Sequence, residues 1–313
     1  MKHIKSDNFE PKDITIQDDA CHLKEGFGRI ETWYYDAIFD NNYSMVSLIN
    51  VLHIGRLGIV LTGLFIYKDS KPIQIIRNRY PLSYFTGDRE NPLLKIKEKE
   101  LLKGYIKDDQ KWITHLSIDE KNVIMDLDFI KKSKGFKGKT YLGNWLVIPK
   151  MKVKGTLYIK DNKIDLSGSG YHDHNIYPIY APFKTRGYYF GKLNINSDNL
   201  TWARVIKNRK NEQLIAVLNK KGEYYNIPQK SITYKINTEI KDHRKMIPTK
   251  CLLYINSDII KLKLNIEPIN YHYIGVLIAH YWRYHVRYTG EIEIESTKKK
   301  IDTVEITEYL KFF

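Results

Sequence analysis

The chain predicts an all-β protein built as two tandem β-barrels with few short helices. Short β-branched or aromatic runs recur along it, each closed by clusters of Asp, Asn, Lys or Gly that favour turns. Amphipathic helical periodicity is scarce. The length of 313 residues is roughly twice the 150 or so residues that an eight-stranded barrel uses.

Trp33-Tyr34-Tyr35, Tyr43 to Leu52 and Gly58 to Tyr67 read as strands, separated by Asp40-Asn41-Asn42 and by Lys68-Asp69-Ser70-Lys71. Asn91 to Gly104 has helical composition, and Ser117 to Lys132 can hold a helical turn or more. Lys154 to Leu166 reads as a hairpin around an Asp161-Asn162 turn. Pro178-Ile179-Tyr180-Ala181-Pro182 forms the natural joint, since proline cannot donate to a ladder. It divides the chain into domains at 20–183 and 184–313. Leu214 to Leu218 and Glu223 to Ile227 flank an Asn219-Lys220-Lys221-Gly222 turn, and Lys250 to Ile255 is a further strand. Glu291-Ile292-Glu293-Ile294-Glu295 alternates strictly, so one face is wet and the other buried.

An apolar fraction of 42% supplies a sizeable core and excludes wholesale disorder. Cys21 and Cys251 are too few for a disulfide framework and read as two reduced thiols. No apolar stretch follows the N-terminal charges, as a secretory signal would require. The longest mostly apolar window, Met45 to Tyr67, is interrupted by His53, Arg56 and glycines. The expectation is a soluble, cytoplasmic protein. The net charge of +15 is mostly lysine, scattered along the chain. It reads first as a solvated surface, and it is compatible with peripheral contact with an anionic membrane. Nucleic-acid binding is the less favoured alternative, because it needs a positive stripe beside exposed aromatic residues.

The most unusual stretch is Gly168-Ser169-Gly170-Tyr171-His172-Asp173-His174-Asn175. On an extended strand His172 and His174 share one face, while Tyr171, Asp173 and Asn175 share the other. Either the imidazoles line a cavity and Asp173 orients a neighbour, or the reverse. The glycines permit a bulge that would change this phase. A His-x-His pair could also ligate zinc or iron with a third ligand from His272, His280 or His285. No second tight His or Cys motif accompanies it, so the expectation is no metal and no cofactor. A buried hydrogen-bonded brace is the plainest reading, although four polar groups in a row exceed what a core usually carries. Upstream, Glu31-Thr32-Trp33-Tyr34-Tyr35-Asp36-Ala37 places Glu31, Trp33 and Tyr35 on one strand face and Thr32, Tyr34 and Asp36 on the other. That pattern suits core packing or the wall of a partly polar cavity.

These two stretches carry a resemblance. Glu31 to Ala37 resembles the Glu-Trp-Trp-Tyr-Phe-Asp-Ala opening of the hydroxyneurosporene synthase (carotenoid hydratase)/AttH-like family. Gly168 to Asn175 resembles that family's Gly-x-Gly-Tyr-x-Asp-His-Asn block, in the His-Asp-His form of the hydratases. Pro149 to Gly155 fits the approach to the block, and Gly187-Tyr188-Tyr189-Phe190-Gly191-Lys192 resembles the aromatic-rich Trp-Gly-Arg segment. The resemblance implies two lipocalin-like (calycin) barrels, with the central block near their interface and a long apolar ligand handled in a β-walled cavity. Thr32 and Ile176-Tyr177 depart from the pattern. In Thr201-Trp202-Ala203-Arg204, Arg204 stands where the hydratases carry an acid.

The resemblance implies hydration, isomerisation or cyclisation of an isoprenoid or polyene-like molecule; carriage without chemistry is the alternative. Protonating an alkene requires a carboxylic acid kept protonated by burial, with aromatic faces to stabilise the cation. Asp173 suits that role if the neighbouring histidines are neutral or face away. His172, His174, Tyr35 and Tyr188 are the candidate donors for a pericyclic reaction. The candidate catalytic residues are thus Asp173, His172 and His174. The candidate ligand-binding residues are Trp33, Tyr35, Tyr171, Asn175, Tyr188, Trp202 and Arg204.

Overall fold

The computed structural model describes residues 9–23, 28–107, 111–120, 122–208, 210–276 and 279–312. They form two compact units. One comprises residues 11–139 and 143–181; the other comprises 182–312 with 9–10 and 140–142.

The first unit begins with β1 (Arg29–Phe39), β2 (Tyr43–Ile54), β3 (Leu57–Lys68) and β4 (Lys71–Pro81). It continues through β5 (Phe85–Gly87), β6 (Leu93–Ile96), β7 (Lys99–Lys107) and β8 (Lys111–Glu120). It ends with β9 (Val123–Lys131), β10 (Phe136–Lys139), β11 (Asn144–Ile159) and β12 (Asn162–Pro178). The main path of the sheet runs β4-β3-β2-β1-β12-β11-β9-β8-β7-β6-β5, with β10 on β11. This is a meander whose first and last strands pair in the middle and whose edges, β4 and β5, are consecutive in the chain. The sheet therefore curls on itself: Tyr80 on β4 donates through its hydroxyl to Glu120 Oε1 on β8 at 3.0 Å.

The second unit repeats the plan with β13 (Gly187–Ile195), β14 (Asp198–Ile206), β15 (Glu212–Lys220), β16 (Glu223–Asn226) and β17 (Ile232–Asp242). It closes with β18 (Lys245–Asn256), β19 (Ile260–Val276), β20 (Ala279–Ile294) and β21 (Thr297–Phe312), and its order is β16-β15-β14-β13-β21-β20-β19-β18-β17. Again the first strand pairs with the last. Trp202 on β14 lies 5.4 Å from the Tyr234 ring on β17, which a flat sheet in this order would forbid. Both units are lipocalin-like all-β barrels. Among the described residues helix is confined to short turns such as α1 (Ala181–Lys184), and no helix there is long and apolar enough to cross a membrane.

The two helical expectations are corrected. Residues 91–104 contribute to the β6–β7 hairpin, whose Lys97-Glu98 turn has φ of 48° and 65° at its two residues. Residues 117–132 contribute to the β8–β9 hairpin, where Val123, Met125, Leu127 and Phe129 are buried at period two. Side chains that pack on a pleated surface override the helical propensity of Lys, Glu and Leu. Asp69-Ser70, His243-Arg244 and Glu295-Ser296 are likewise two-residue turns with positive φ throughout, built without glycine. The hairpin before the glycine block turns at Lys160-Asp161, one residue earlier than expected, with Lys160 at φ 55°.

Each barrel has an aromatic interior. Trp33, Tyr35, Ile49, Leu64, Ile76, Leu116 and Phe129 fill the first, and Tyr189, Trp202, Trp282 and Tyr284 the second. Each fully buried large apolar side chain contributes roughly 1.5–3 kcal/mol. Cys21 and Cys251 are both buried and both free.

Candidate functional site

The two unusual stretches are neighbours in space. β1 and β12 pair antiparallel in unbroken register from Arg29↔Pro178 to Phe39↔Gly168. No bulge interrupts them at the glycines, contrary to the bulge that the sequence allowed. Gly168 and Gly170 serve close approach instead. A Cβ on Gly168 would stand 2.1 Å from the Ile38 carbonyl oxygen, and one on Gly170 would stand 2.5 Å from Val153 Cγ2. The one irregularity of β12's pairing falls on its other side, between Ile148 and Met151 of β11, where Pro149 has no N–H to give.

Unbroken alternation sets two chemistries back to back. Trp33 lies opposite His174 and Tyr35 opposite His172, all four on the barrel-interior face. Tyr35 stacks on His172 with ring centroids 4.0 Å apart, and Trp33 on His174 at 4.4 Å. Tyr34 lies opposite Asp173 and Asp36 opposite Tyr171, on the other face.

On the interior face the imidazoles meet carboxylates. Asp19 Oδ1 lies 2.9 Å from His172 Nε2 and 3.2 Å from His174 Nδ1. Glu31 Oε1 lies 2.9 Å from His174 Nε2 and 3.3 Å from His22 Nδ1, and it accepts the His22 backbone N–H at 2.9 Å. His172 Nδ1 donates to the Tyr34 carbonyl at 2.9 Å. Asp19 arrives on a short 3-10 turn, Ile16–Asp19, held because Trp33 Nε1 donates to the Asp19 carbonyl at 3.0 Å and the Cys21 N–H to the Asp88 carbonyl at 2.8 Å. Asp19, Glu31, His172 and His174 are all buried.

Burial alone would push these carboxylates up and the imidazole down. The contacts outweigh it. His172 and His174 hold Asp19 below its ordinary value, and His174 with His22 does the same for Glu31. Between the two carboxylates, His174 is pushed up to about 9. At neutral pH it is an imidazolium, hydrogen-bonded through Nε2 to Glu31 and paired by charge across 3.2 Å from Nδ1 to Asp19.

His22, Glu31 and His174 each offer one ligand atom within 4.8 Å of the others, a donor set that suits a divalent cation. The third imidazole brought to His174 is thus His22. His272, His280 and His285 lie on β19 and β20 of the second unit. Asp19, 3.2 Å from His174 Nδ1, would be the carboxylate orienting that ligand, but Glu31 Oε1 is already hydrogen-bonded to His174 Nε2 and to His22 Nδ1.

The opposite face holds a different acid. Asp173 Oδ2 accepts from the Tyr171 hydroxyl at 2.9 Å and from Trp145 Nε1 at 3.3 Å, and Oδ1 accepts from Asn175 Nδ2 at 2.7 Å. Tyr34 donates to Asp36 Oδ2 at 3.0 Å, and its ring packs edge-on to Tyr171 at 6.1 Å. Burial pushes Asp173 up, and the Tyr171 bond, the charge of His172 and the Trp145 bond oppose it without prevailing, so the carboxyl sits at about 6. This is the arrangement in which Asp173 suits proton donation: its sequence neighbours His172 and His174 face away.

A cavity of about 410 Å³ lies in the first barrel. Ser47, Ile49, Thr62, Leu64, Ile76 and Asn78 contribute to its wall. In register, Ser47 lies opposite Tyr35 and Ile49 opposite Trp33, so this wall continues the face that carries the imidazoles. His172 and His174 themselves are not part of its lining.

Of the expected ligand-binding residues, Trp33, Tyr35, Tyr171 and Asn175 join the site. Tyr188, Trp202 and Arg204 belong to the second unit, where Trp202 is core and Arg204 donates from Nε to Glu212 Oε2 at 2.8 Å. Asp19, His22, Glu31 and Trp145 were not singled out by sequence as site residues. The only signal for Asp19 was acidic clustering in Asp18-Asp19 just ahead of a strand.

No family model and no curated protein sequence matches the chain. Solved structures do. An AttH-like protein of Nitrosomonas europaea superposes with a TM-score of 0.70 at 12% identity, over 96% of this chain and 97% of its own. Kievitone hydratase of Nectria haematococca gives 0.60 at 14%, over 97% and 98%. CghA in complex with Sch210972 gives 0.62 at 8%, over 98% of each chain. The all-β fold is therefore shared, along nearly the whole chain, with an AttH-like protein, with kievitone hydratase and with CghA. At these identities the likeness is one of fold.

Proposed function

We propose that the chain binds a lipophilic small molecule, isoprenoid or polyene-like, and acts on it by proton transfer from Asp173. The carboxyl delivers its proton to an alkene carbon, forming a C–H bond as the π bond breaks. Capture of the cation by water gives hydration, capture by a second alkene gives cyclisation, and proton loss from a neighbouring carbon gives isomerisation. In each case a proton returns to the carboxylate.

The observation that carries this reading is the acid's setting. Asp173 is 7% exposed, bounded by Tyr171 and Trp145, and sits at about 6. A protonated fraction therefore persists near neutrality, and aromatic rings lie beside it to stabilise a cation. The resemblance of the Gly168–Asn175 block and the shared fold with kievitone hydratase support it.

Organic extraction of the purified protein followed by mass spectrometry identifies the ligand, and quenching of its five tryptophans reports binding of polyenes. The expected result is an apolar compound that the native chain converts and Asp173→Asn binds unchanged. Conversion by Asp173→Asn at the native rate refutes the role.

A specific observation favours a second reading, carriage without chemistry. The 410 Å³ cavity falls in the size range of small-molecule sites, and the face that it continues has its imidazoles locked to carboxylates. A ligand returned chemically unchanged after prolonged incubation identifies a carrier.

A further inference from the structure

The second unit gathers cations at one end of three adjacent strands. Gly187, which opens β13, lies opposite both Ile206, the last residue of β14, and Lys311 of β21. The Arg186 N–H donates to the Ile206 carbonyl at 2.7 Å, and the Phe312 N–H to the Arg186 carbonyl at 2.9 Å. Gly187 makes this approach possible: at φ +146°, a Cβ there would stand 1.9 Å from the Leu310 carbonyl oxygen. The backbones of Arg186, Lys207 and Lys311 are thereby gathered at one end of the sheet, and Lys184 precedes them on α1.

These four cations, with Phe183 and Phe312, line an open pocket of about 720 Å³ that has no carboxylate in its wall. Burial and the charge of Lys245, with that of Arg186, hold Lys311 below its ordinary value against the opposing charge of Glu239. Phe183 is 69% exposed beside them. A solvent-facing phenyl ring next to clustered cations is the pairing that binds a lipid–water interface, apolar groups entering as cations meet phosphate.

We propose that this pocket receives the phosphate of an anionic phospholipid headgroup and docks the chain on an acidic bilayer surface, with Phe183 entering the interface. A membrane is favoured over a nucleic acid because, among the described residues that line the pocket, Phe183 is the one exposed aromatic side chain, whereas strand binding needs successive stacking platforms along a groove. The site lies in a different unit from Asp173, and its test requires no substrate, so the two proposals stand or fall separately.

The test is co-sedimentation of the full chain with phosphatidylcholine vesicles, with and without about 30% phosphatidylglycerol, at low and high salt. Binding is expected only to the acidic vesicles and to weaken with salt. Lys184→Glu/Arg186→Glu/Lys207→Glu is expected to weaken it by about tenfold or more. Phe183→Ala should weaken it at every salt concentration. Lys298→Glu/Lys299→Glu/Lys300→Glu carries the same charge change elsewhere and is expected to bind within about twofold of the native chain. Equal weakening by both triple variants reduces the effect to net charge and overturns the proposal. Equal binding to neutral vesicles overturns it too. So does loss of vesicle binding to millimolar inorganic phosphate or to a single-stranded oligonucleotide, since either identifies another occupant.

Discussion

Asp173 and His174 are consecutive in the chain, yet their side chains leave opposite faces of the β1–β12 pair, and both are pushed up for opposite reasons: the surroundings favour the charged form of His174 and disfavour the charged form of Asp173. His174 meets two carboxylates and is pushed up to about 9; at Asp173 burial outweighs the Tyr171 bond, the charge of His172 and the Trp145 bond and pushes the carboxyl up to about 6. One peptide unit separates a locked cation from a titratable acid.

The interior network is expected to hold the 3-10 turn Ile16–Asp19 to the barrel. Removing one member leaves a buried charge without its partner, which costs about 3–5 kcal/mol. Chemical denaturation of His174→Ala and Asp19→Asn should show losses of that size. The double variant should lose less than the sum, because the two residues share one contact.

Stability should depend on pH in a defined sense. His174 is raised from 6.5 to about 9, so its contribution is complete below pH 6.5 and is lost as pH rises through about 9. Asp19 and Glu31 are lowered from 3.8 and 4.5, so their contribution is present above those values and is lost as pH falls through the lowered ones. Asp173 is raised from 3.8 to about 6, so it removes stability as pH climbs across that interval. The thermal midpoint should decline between pH 6.5 and 9, and His174→Gln should flatten that decline. A flat native profile there contradicts the clamped imidazolium.

Turnover of any identified ligand should need Asp173 protonated, and so fall as pH rises through about 6. Tyr171→Phe removes a bond that favours the ionised carboxylate and should move this limb to higher pH, with binding within a few-fold of native. An unmoved limb assigns the titration to another group.

Thr62→Trp is expected to obstruct the 410 Å³ cavity. If that cavity carries the ligand, retention measured by extraction should fall by about tenfold or more. If the chemistry lies on the Asp173 face alone, turnover should survive the substitution.

Gly168→Ala should destabilise the first unit by about 1–3 kcal/mol, since the new methyl meets backbone rather than a movable side chain. An equal denaturation midpoint would show that the strands separate to admit it.

The all-β class, the aromatic strands and the glycine-flanked block could be read from the chain, because strand alternation and turn chemistry are local. So could the partition of His172 and His174 from Asp173, which depends only on the period of two. The hairpins at 91–107 and 111–131 could not, because Lys- and Glu-rich strands look helical until a partner strand and a core face exist. Nor could Asp19, 153 residues from His172: only the curled sheet brings a 3-10 turn onto that face. By itself the sequence determined which residues share a side of the strand. The tertiary structure alone decided what each side meets, and hence that one histidine is locked between carboxylates while its neighbouring aspartate, buried among neutral donors, stays free to titrate.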